Sequence, residues 1–446
     1  MMNIKLWTNK RIKKIKDNSF VAKFLKNFLI SFIGEGGASF LSFISTIFLI
    51  SIIGNTNYGI LVVAYSFVLI VDNVVNFQAG HAMISFGSDA IENDDYGALE
   101  RLIKIGTVID VSMAILGLVL ALSTASFFSN LFGWNAQTTQ SIYILSFMIL
   151  FNFTGTSVGI IRLLDRFVLY SVFRIASEII RLLLIVVFCL VLKMGLKGAA
   201  FAYALGYIFG YLLFFILFIN ELRKHTSLSI RRIIKSDIKQ DWKKVFKFTF
   251  WTSLTASADI PVQQFDTIFL SMLSYDLVAV FKVYKQIGQV LTKFATPVKQ
   301  AIMPLFSELV SKEKYRECYA YYKKMIAKGN MLMAPFVLIL TGASVLFLHL
   351  TLDPIYVNNW LVLFVYLLLR GFALSFAPIH PLFIALGQVK QNFYISLIAN
   401  SMYIAVVWLM IPFIGIWAIL LGLLIEYLVV LVVKQKVIVK VINAYH

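Results

Sequence analysis

The chain is a succession of apolar runs, many of them about 20 residues long, separated by short polar segments. A run of about 20 apolar residues is what an α-helix needs to cross the hydrocarbon core of a bilayer. Hydrophobic residues make up 60% of the 446 residues and charged residues only 14%, a balance that excludes a soluble globular protein of this size. The sequence therefore predicts an all-α polytopic membrane protein.

About twelve segments are predicted to cross the membrane. They are 28–52, 58–80, 103–126, 140–162, 167–192, 198–219, 248–273, 277–304, 327–351, 360–386, 392–413 and 416–433. The long basic segment after the sixth of them predicts two six-helix lobes around a central cationic cavity, which is a common transporter plan. The predicted domains are a basic tail 1–27, an N-terminal lobe 28–219, a basic linker 220–247, a C-terminal lobe 248–433 and a second tail 434–446.

The placement of lysine and arginine predicts the orientation of these segments. An even number of spans puts both termini on one side, and most basic residues outside the spans fall on that side, whereas only Lys193 and Lys197 fall on the other. Basic connections are cytoplasmic by the positive-inside rule, so both termini are predicted to be cytoplasmic. This pattern accounts for the net charge of +18, and nucleic acid is not an expected partner.

The eighth predicted span carries lysines on one face. Lys282, Lys285, Gln286, Gln289, Lys293 and Gln300 recur at helical spacing with apolar residues opposite. A lysine at membrane depth costs on the order of 3 kcal/mol, so it normally faces a bundle interior or a water-filled cavity. Lys285 and Lys293 lie too deep to reach the membrane surface, whereas Lys282 and Lys299 have that alternative. The face predicts a positively charged pocket.

Two other spans contribute arginine. Arg174, Glu178 and Arg181 fall at i, i+4 and i+7, on one stripe of the fifth predicted span. Neutralisation of both arginines by Glu178 is one interpretation, and a contribution to the cationic pocket is the other, since two cations outnumber one acid. Arg370 in the tenth predicted span is a further candidate for the pocket.

Acidic residues within the spans are candidates for ion coupling. Asp259 and Asp266 occupy the seventh predicted span, and Glu35 lies among glycines in the first. The two aspartates either pair with lysines of the eighth span or take up a proton or Na⁺ when the pocket empties, and the sequence leaves both alternatives open. No P-loop and no catalytic or metal-binding cluster occurs in the sequence, so neither an enzyme, a cofactor nor a metal is predicted.

These features predict a carrier for an anionic substrate that moves by rocking of the two lobes. Arginine and lysine suit a pyrophosphate or an acidic sugar. The alternative is a cation-coupled multidrug exporter, in which acidic residues are expected to dominate the pocket. A membrane-embedded polymerase or ligase is a third hypothesis, but the short predicted outside loops argue against it.

The sequence resembles one known family over nearly the whole chain, and several short stretches carry the resemblance. Residues 52–88, with the Tyr58–Gly59 step and Gly80, look like its first hairpin, and 266–270, 283–284 and 301–307 are similar to its second-lobe pattern. In order and spacing they resemble the bacterial polysaccharide and O-antigen flippases of the multidrug/oligosaccharidyl-lipid/polysaccharide exporter superfamily. The segment 84–87 lacks the arginine usual for that family.

The resemblance implies a bacterial inner-membrane carrier for an undecaprenyl-pyrophosphate-linked oligosaccharide, moved from the cytoplasmic to the periplasmic leaflet. It implies no cofactor, and its implied partners are membrane lipids, a polysaccharide polymerase and a chain-length regulator. The pyrophosphate is expected in the predicted pocket, whose residues are Arg174, Arg181, Lys282, Lys285, Lys293 and Arg370. Glu35, Asp259 and Asp266 are the expected ion-coupling residues.

Overall fold

The computed structural model describes residues 29, 30, 32–224 and 228–444, without the side chains of 261, 294–301 and 389. The predicted tail 1–27 and the side chain of Lys299 lie outside this description. Almost all of the described residues are helical, and no strand occurs among them. The prediction of an all-α protein is therefore confirmed.

The described residues of the first half form eight helices. They are α1 Phe32–Ile53, α2 Asn55–Val75, α3 Ala79–Glu92, α4 Tyr96–Phe132, α5 Ala136–Leu150, α6 Gly155–Leu163, α7 Phe167–Ile185 and α8 Gly195–Lys224. A π-helical segment, Val186–Val191, continues α7.

The second half begins with two helices at the linker. These and the helices that follow are α9 Ile230–Lys235, α10 Lys239–Ser257, α11 Asp266–Ser271, α12 Tyr275–Ser311, α13 Tyr315–Thr351, α14 Ile355–Asn358, α15 Trp360–Ser375, α16 Ile379–Ala385, α17 Val389–Ile414 and α18 Trp417–Ala444. A second π-helical segment, Pro261–Phe265, precedes α11.

Side-chain caps and glycines set several of these boundaries. The Asp95 carboxylate accepts a hydrogen bond from the Ala98 backbone N–H at 2.8 Å and so caps α4. Gly133 ends the same helix at φ 67°, in the left-handed region that glycine adopts without a Cβ clash. Asn135 then caps α5 by accepting from the backbone N–H of Thr138. The long apolar helices are thus separated by short, well-defined turns.

By length and composition, eight helical segments in the described part of the chain are apolar enough to cross a membrane: α1, α2 with α3, α4, α8, α13, α15 with α16, α17 and α18. The number is nine if the pair α5 and α6, bent by 44°, is one span. Nine of the twelve predicted spans are therefore found. The other three, 167–192, 248–273 and 277–304, are absent from that set, and all three carry predicted site residues. The first carries three charges on one helix, the second is divided at the π-helical segment Pro261–Phe265, and the third includes residues 294–301, whose side chains lie outside the description.

The buried apolar residues form three clusters. The largest joins both halves of the chain, with residues such as Leu61 on α2 and Val283 on α12. The second contains first-half helices together with α9 and α10, and includes Ile103 and Val245. The third, around Phe306, contains only second-half residues. The two halves therefore share the first cluster at one end of the bundle, whereas at the other end the second cluster joins the first half only to α9 and α10 and the third lies within the second half.

Polar contacts join the halves at the shared-core end, which we call the joined end. The Asn55 side chain donates to Asp353 Oδ2 and the Thr56 hydroxyl donates to Asp276 Oδ1, each at 2.7 Å. A Cβ at Gly59 would lie 1.9 Å from the backbone carbonyl oxygen of Tyr275, so only glycine permits this approach of α2 to α12. The start of α2 is thus fixed against the start of α12.

Candidate functional site

A polar cavity of about 250 Å³ lies between the two halves, and we call it the central cavity. Its walls come from α1, α2, α7 and α8 of the first half and from the second π-helical segment and α12 of the second half. Its charged lining residues are Arg174, Glu178, Arg181 and Lys282. Small-molecule sites commonly lie at such interfaces between structural units, so the central cavity is the candidate site.

The α7 side of the cavity is an ion-pair network. Glu178 is buried and pairs with both arginines of its own helix, with Arg174 Nη1 at 3.2 Å and with Arg181 Nη2. Glu35 of α1 adds a second carboxylate, whose Oε2 lies 3.7 Å from Arg174 Nε, and it also accepts a hydrogen bond from Tyr170 at 2.9 Å. Two carboxylates therefore face two guanidinium groups, and the network as a whole is close to neutral.

Arg181 is held in place by neutral groups as well. Its Nη1 donates to the Tyr207 hydroxyl at 3.0 Å and its Nη2 donates to Ser42 Oγ at 2.9 Å. The guanidinium carbon lies 5.1 Å from the centroid of the Tyr203 ring, within the range of a cation–π interaction. A Cβ at Gly206 would approach Arg181 Cβ to 2.8 Å, so glycine lets α8 pack closely against α7.

Lys285 is paired with an acid of the second half. Its Nζ lies 2.7 Å from Asp266 Oδ2 and donates to the backbone carbonyl oxygen of Gln263 at 2.6 Å. The Asp266 side chain is only 5% exposed and that of Lys285 only 13%. A carboxylate this buried needs a partner charge, and Lys285 supplies it. The pair joins α12 to the start of α11.

Lys282 differs from the other cations of the cavity. It lines the cavity, and its Nζ lies 5.8 Å from the centroid of the Tyr65 ring. Within the described ranges its ammonium group has neither a hydrogen bond nor an ion pair. It is therefore the cavity cation that no protein carboxylate neutralises in the described part of the chain.

The remaining predicted site residues lie elsewhere. Lys293 is half-buried and follows Gln289 by four residues on α12, but it is outside the cavity lining. Arg370 donates to the Tyr366 hydroxyl at 3.1 Å on α15 and is also outside that lining. Asp259 is exposed, with its Oδ1 3.5 Å from Asn400 Nδ2. The structure therefore gathers Arg174, Arg181 and Lys282 at the cavity and places the other candidates around it.

Sequence reasoning missed the aromatic part of the lining. Tyr58, Tyr65, Tyr203 and Tyr207 contribute to the cavity wall, and Tyr65 stacks on Tyr207 with ring centroids 5.4 Å apart. Their rings are apolar enough to sit in any span, so composition does not single them out. The only sequence signal is helical spacing, which puts Tyr203 and Tyr207 on the same face of α8.

Solved transporter structures share this fold. The chain matches an inward-facing multidrug resistance transporter of the MATE family with a TM-score of 0.72 at 14% identity, covering 92% of this chain and 95% of the other. It matches the eukaryotic MATE transporter AtDTX14 with a TM-score of 0.65 at 13% identity over 96% and 98% of the two chains. The architecture is that of multi-pass membrane transporters of the MOP superfamily.

A further solved relative, from Pyrococcus furiosus, matches with a TM-score of 0.64 at 13% identity over 94% of this chain and 96% of the other. It is described as a MOP superfamily transporter in which reversed polarity of the binding pocket suggests a different function. No curated protein matches this sequence. The sequence family described as "Polysaccharide biosynthesis protein" matches residues 24–310. The chain belongs to this family, and its fold is that of the solved membrane transporters.

Proposed function

We propose that the protein is a flippase that carries undecaprenyl-pyrophosphate-linked oligosaccharide repeat units, of O-antigen or a similar surface polysaccharide, across the bacterial inner membrane. The observation that carries this proposal is Lys282, a cation in a polar cavity between the two halves that pairs with no carboxylate among the described residues. An ammonium group held in a low-dielectric cavity binds an anion such as a phosphate more strongly than it does in water. Membership of the polysaccharide biosynthesis family supports the same substrate class.

The proposed topology follows from charge and from the three clusters. Both termini are cytoplasmic in this proposal, so the joined end is periplasmic and the second and third clusters face the cytoplasm. A lipid-linked substrate then enters between the halves from the cytoplasmic side. The lobes 28–219 and 248–433 rock around the central cavity, so that the joined end opens when the cytoplasmic end closes, with 220–247 as the connecting linker and 1–27 and 434–446 as cytoplasmic tails.

A cation-coupled multidrug exporter is the second candidate function. The observation in its favour is the pair of carboxylates, Glu35 and Glu178, that balances the two arginines of α7. Together with Lys282 this leaves about one surplus positive charge near the cavity. An organic cation is disfavoured by that surplus, so the anionic substrate is the better match.

The test is deletion of the gene in its host, followed by analysis of undecaprenyl-linked glycans and surface polysaccharide. We expect single lipid-linked repeat units to accumulate in the membrane and surface polymer to be lost, both restored by the wild-type gene. Normal surface polymer together with reduced drug tolerance would instead establish the multidrug exporter.

A covalent cross-link between the two halves at the joined end is expected to stop transport. In a Thr56→Cys/Asp276→Cys variant the two cysteines replace a hydrogen-bonded pair across the two halves, so an oxidant or a short bifunctional thiol reagent is expected to link α2 to α12. Both native cysteines are buried, which limits competing reactions. Surface-polymer export is expected to fall to the deletion level in linked cells and to recover on reduction of a disulfide. Wild-type export by quantitatively linked protein would contradict movement at this end.

A further inference from the structure

Among the described side chains of the second half, three glutamines line the central cavity: Gln264, Gln286 and Gln289. Gln286 Nε2 donates to Thr46 Oγ1 of α1 at 2.9 Å, and its Oε1 is buried without a hydrogen-bond partner. Gln264 Oε1 is also buried and unpartnered. In the part of the chain that the structure describes, the amide of Gln264 makes no hydrogen bond, and that of Gln289, an exposed residue, makes none to the protein. Most of the hydrogen-bonding capacity of these amides is therefore unused.

Unused amides in a cavity indicate what kind of ligand fits there. Each glutamine side chain can donate two hydrogen bonds and accept two, and leaving the buried oxygens of Gln264 and Gln286 without partners is unfavourable. An apolar ligand leaves them unpaired and a simple anion uses only the donors. A ligand with hydroxyl groups uses both, because a hydroxyl donates and accepts. The amide groups therefore fit a neutral, polyhydroxylated ligand.

The position of these glutamines relative to Lys282 indicates how far the anionic group of the ligand lies from its hydroxyl groups. Gln286 and Gln289 follow Lys282 by four and seven residues on α12, so they share its face. A helix rises 1.5 Å per residue, which separates them from Lys282 by about 6 Å and about 10 Å along the axis. An anion at Lys282 thus has hydroxyl-binding groups within one or two helical turns, about the offset between a phosphate and the sugar attached to it.

We propose that Gln264, Gln286 and Gln289 form a sugar subsite, which binds the hydroxyl groups of the sugar attached directly to the pyrophosphate while Lys282 binds the phosphate. This inference rests on the proposed flippase function and adds the group that recognises the glycan. At about 250 Å³ the cavity is below the roughly 300–1,000 Å³ of drug-sized sites. It accommodates the first sugar of the repeat unit, with the rest of the glycan outside.

The test compares two probes on purified protein in nanodiscs: undecaprenyl pyrophosphate carrying the host's repeat unit, isolated from the deletion strain, and bare undecaprenyl pyrophosphate. The test variant is Gln264→Leu/Gln289→Leu, which keeps the side-chain volumes close to native and leaves Gln286, bonded to Thr46, unchanged. Loss of hydrogen bonds from two residues is expected to weaken binding of the glycosylated probe by about 5- to 150-fold. Binding of the bare lipid is expected to stay at the wild-type level, which also shows that the variant is folded.

A matched control is Gln140→Leu, the same change at an exposed glutamine of α5 outside the cavity lining, and it is expected to bind both probes as the wild type does. Equal affinity of the wild type for the two probes, or an unchanged preference in the double variant, would overturn the sugar subsite and leave the flippase proposal standing. Failure of the wild type to bind either probe would overturn both.

Discussion

Replacing Lys282 with methionine is expected to abolish surface-polymer export while the protein still inserts into the membrane. Methionine keeps much of the length of the side chain but removes the ammonium group, and no carboxylate of the described chain depends on that group as a partner. Loss of a hydrogen bond to a charged group costs about 1.5–3 kcal/mol, which is roughly 10- to 150-fold in substrate affinity. Complementation of the deletion strain measures the loss of export, and binding of undecaprenyl pyrophosphate measures the loss of affinity.

Two further lysine variants control for this effect. Lys197→Met removes an exposed lysine near the start of α8 and is expected to export normally. Lys282→Arg keeps the charge with a bulkier group and is expected to retain part of the function. Normal export by folded Lys282→Met protein would show that the cavity cation does not bind substrate.

Replacing Lys285 with methionine is expected to fail for a different reason, namely loss of folded protein. The change leaves the buried Asp266 carboxylate without its ion-pair partner, and breaking a buried pair in this way costs about 3–5 kcal/mol. The double variant Lys285→Met/Asp266→Asn removes both charges and is expected to recover most of the lost stability. Thermal unfolding of the purified proteins in detergent, with the expression level as a second readout, measures both effects.

The double variant also distinguishes a structural role of the Lys285–Asp266 pair from a role of Asp266 in ion coupling. If the pair only positions α11 against α12, the double variant is expected to export polymer once it folds. If Asp266 takes up the coupling ion, as the sequence also allows, the double variant folds but does not export. A Lys285→Met protein as stable as the wild type would contradict the structural role of the pair.

The cationic face of α12 was predictable from spacing alone, but the neutralisation of its charges was not. Helical periodicity places Lys282 and Lys285 within one turn of each other, yet Asp266 pairs with Lys285 and not with Lys282. Which lysine is paired depends on how α11 packs against α12, and the sequence pattern does not define the turn between these helices. The pairing of Glu178 was easier to predict, because its partner Arg174 lies on the same helix at i−4.

The fold shows the same division between local and long-range information. Apolar runs identified nine of the predicted spans directly, because length and hydropathy are local properties. The joined end was not predictable, since it depends on contacts such as that between Asn55 and Asp353, nearly 300 positions apart. The cavity tyrosines were missed for a related reason: only tertiary packing distinguishes Tyr65 in a cavity wall from a tyrosine that faces lipid.

The most direct test of the central claim is a leaflet assay in proteoliposomes. Purified protein is reconstituted with the host's undecaprenyl-pyrophosphate-linked repeat unit, with a proton gradient and a membrane potential imposed, and periodate in the external medium oxidises the glycan of the outer leaflet. We expect wild-type protein to expose almost the whole pool to oxidation, whereas Lys282→Met liposomes and protein-free liposomes stop at about half, the outer-leaflet share. Oxidation by wild-type liposomes that stops at the protein-free level would contradict the flippase assignment.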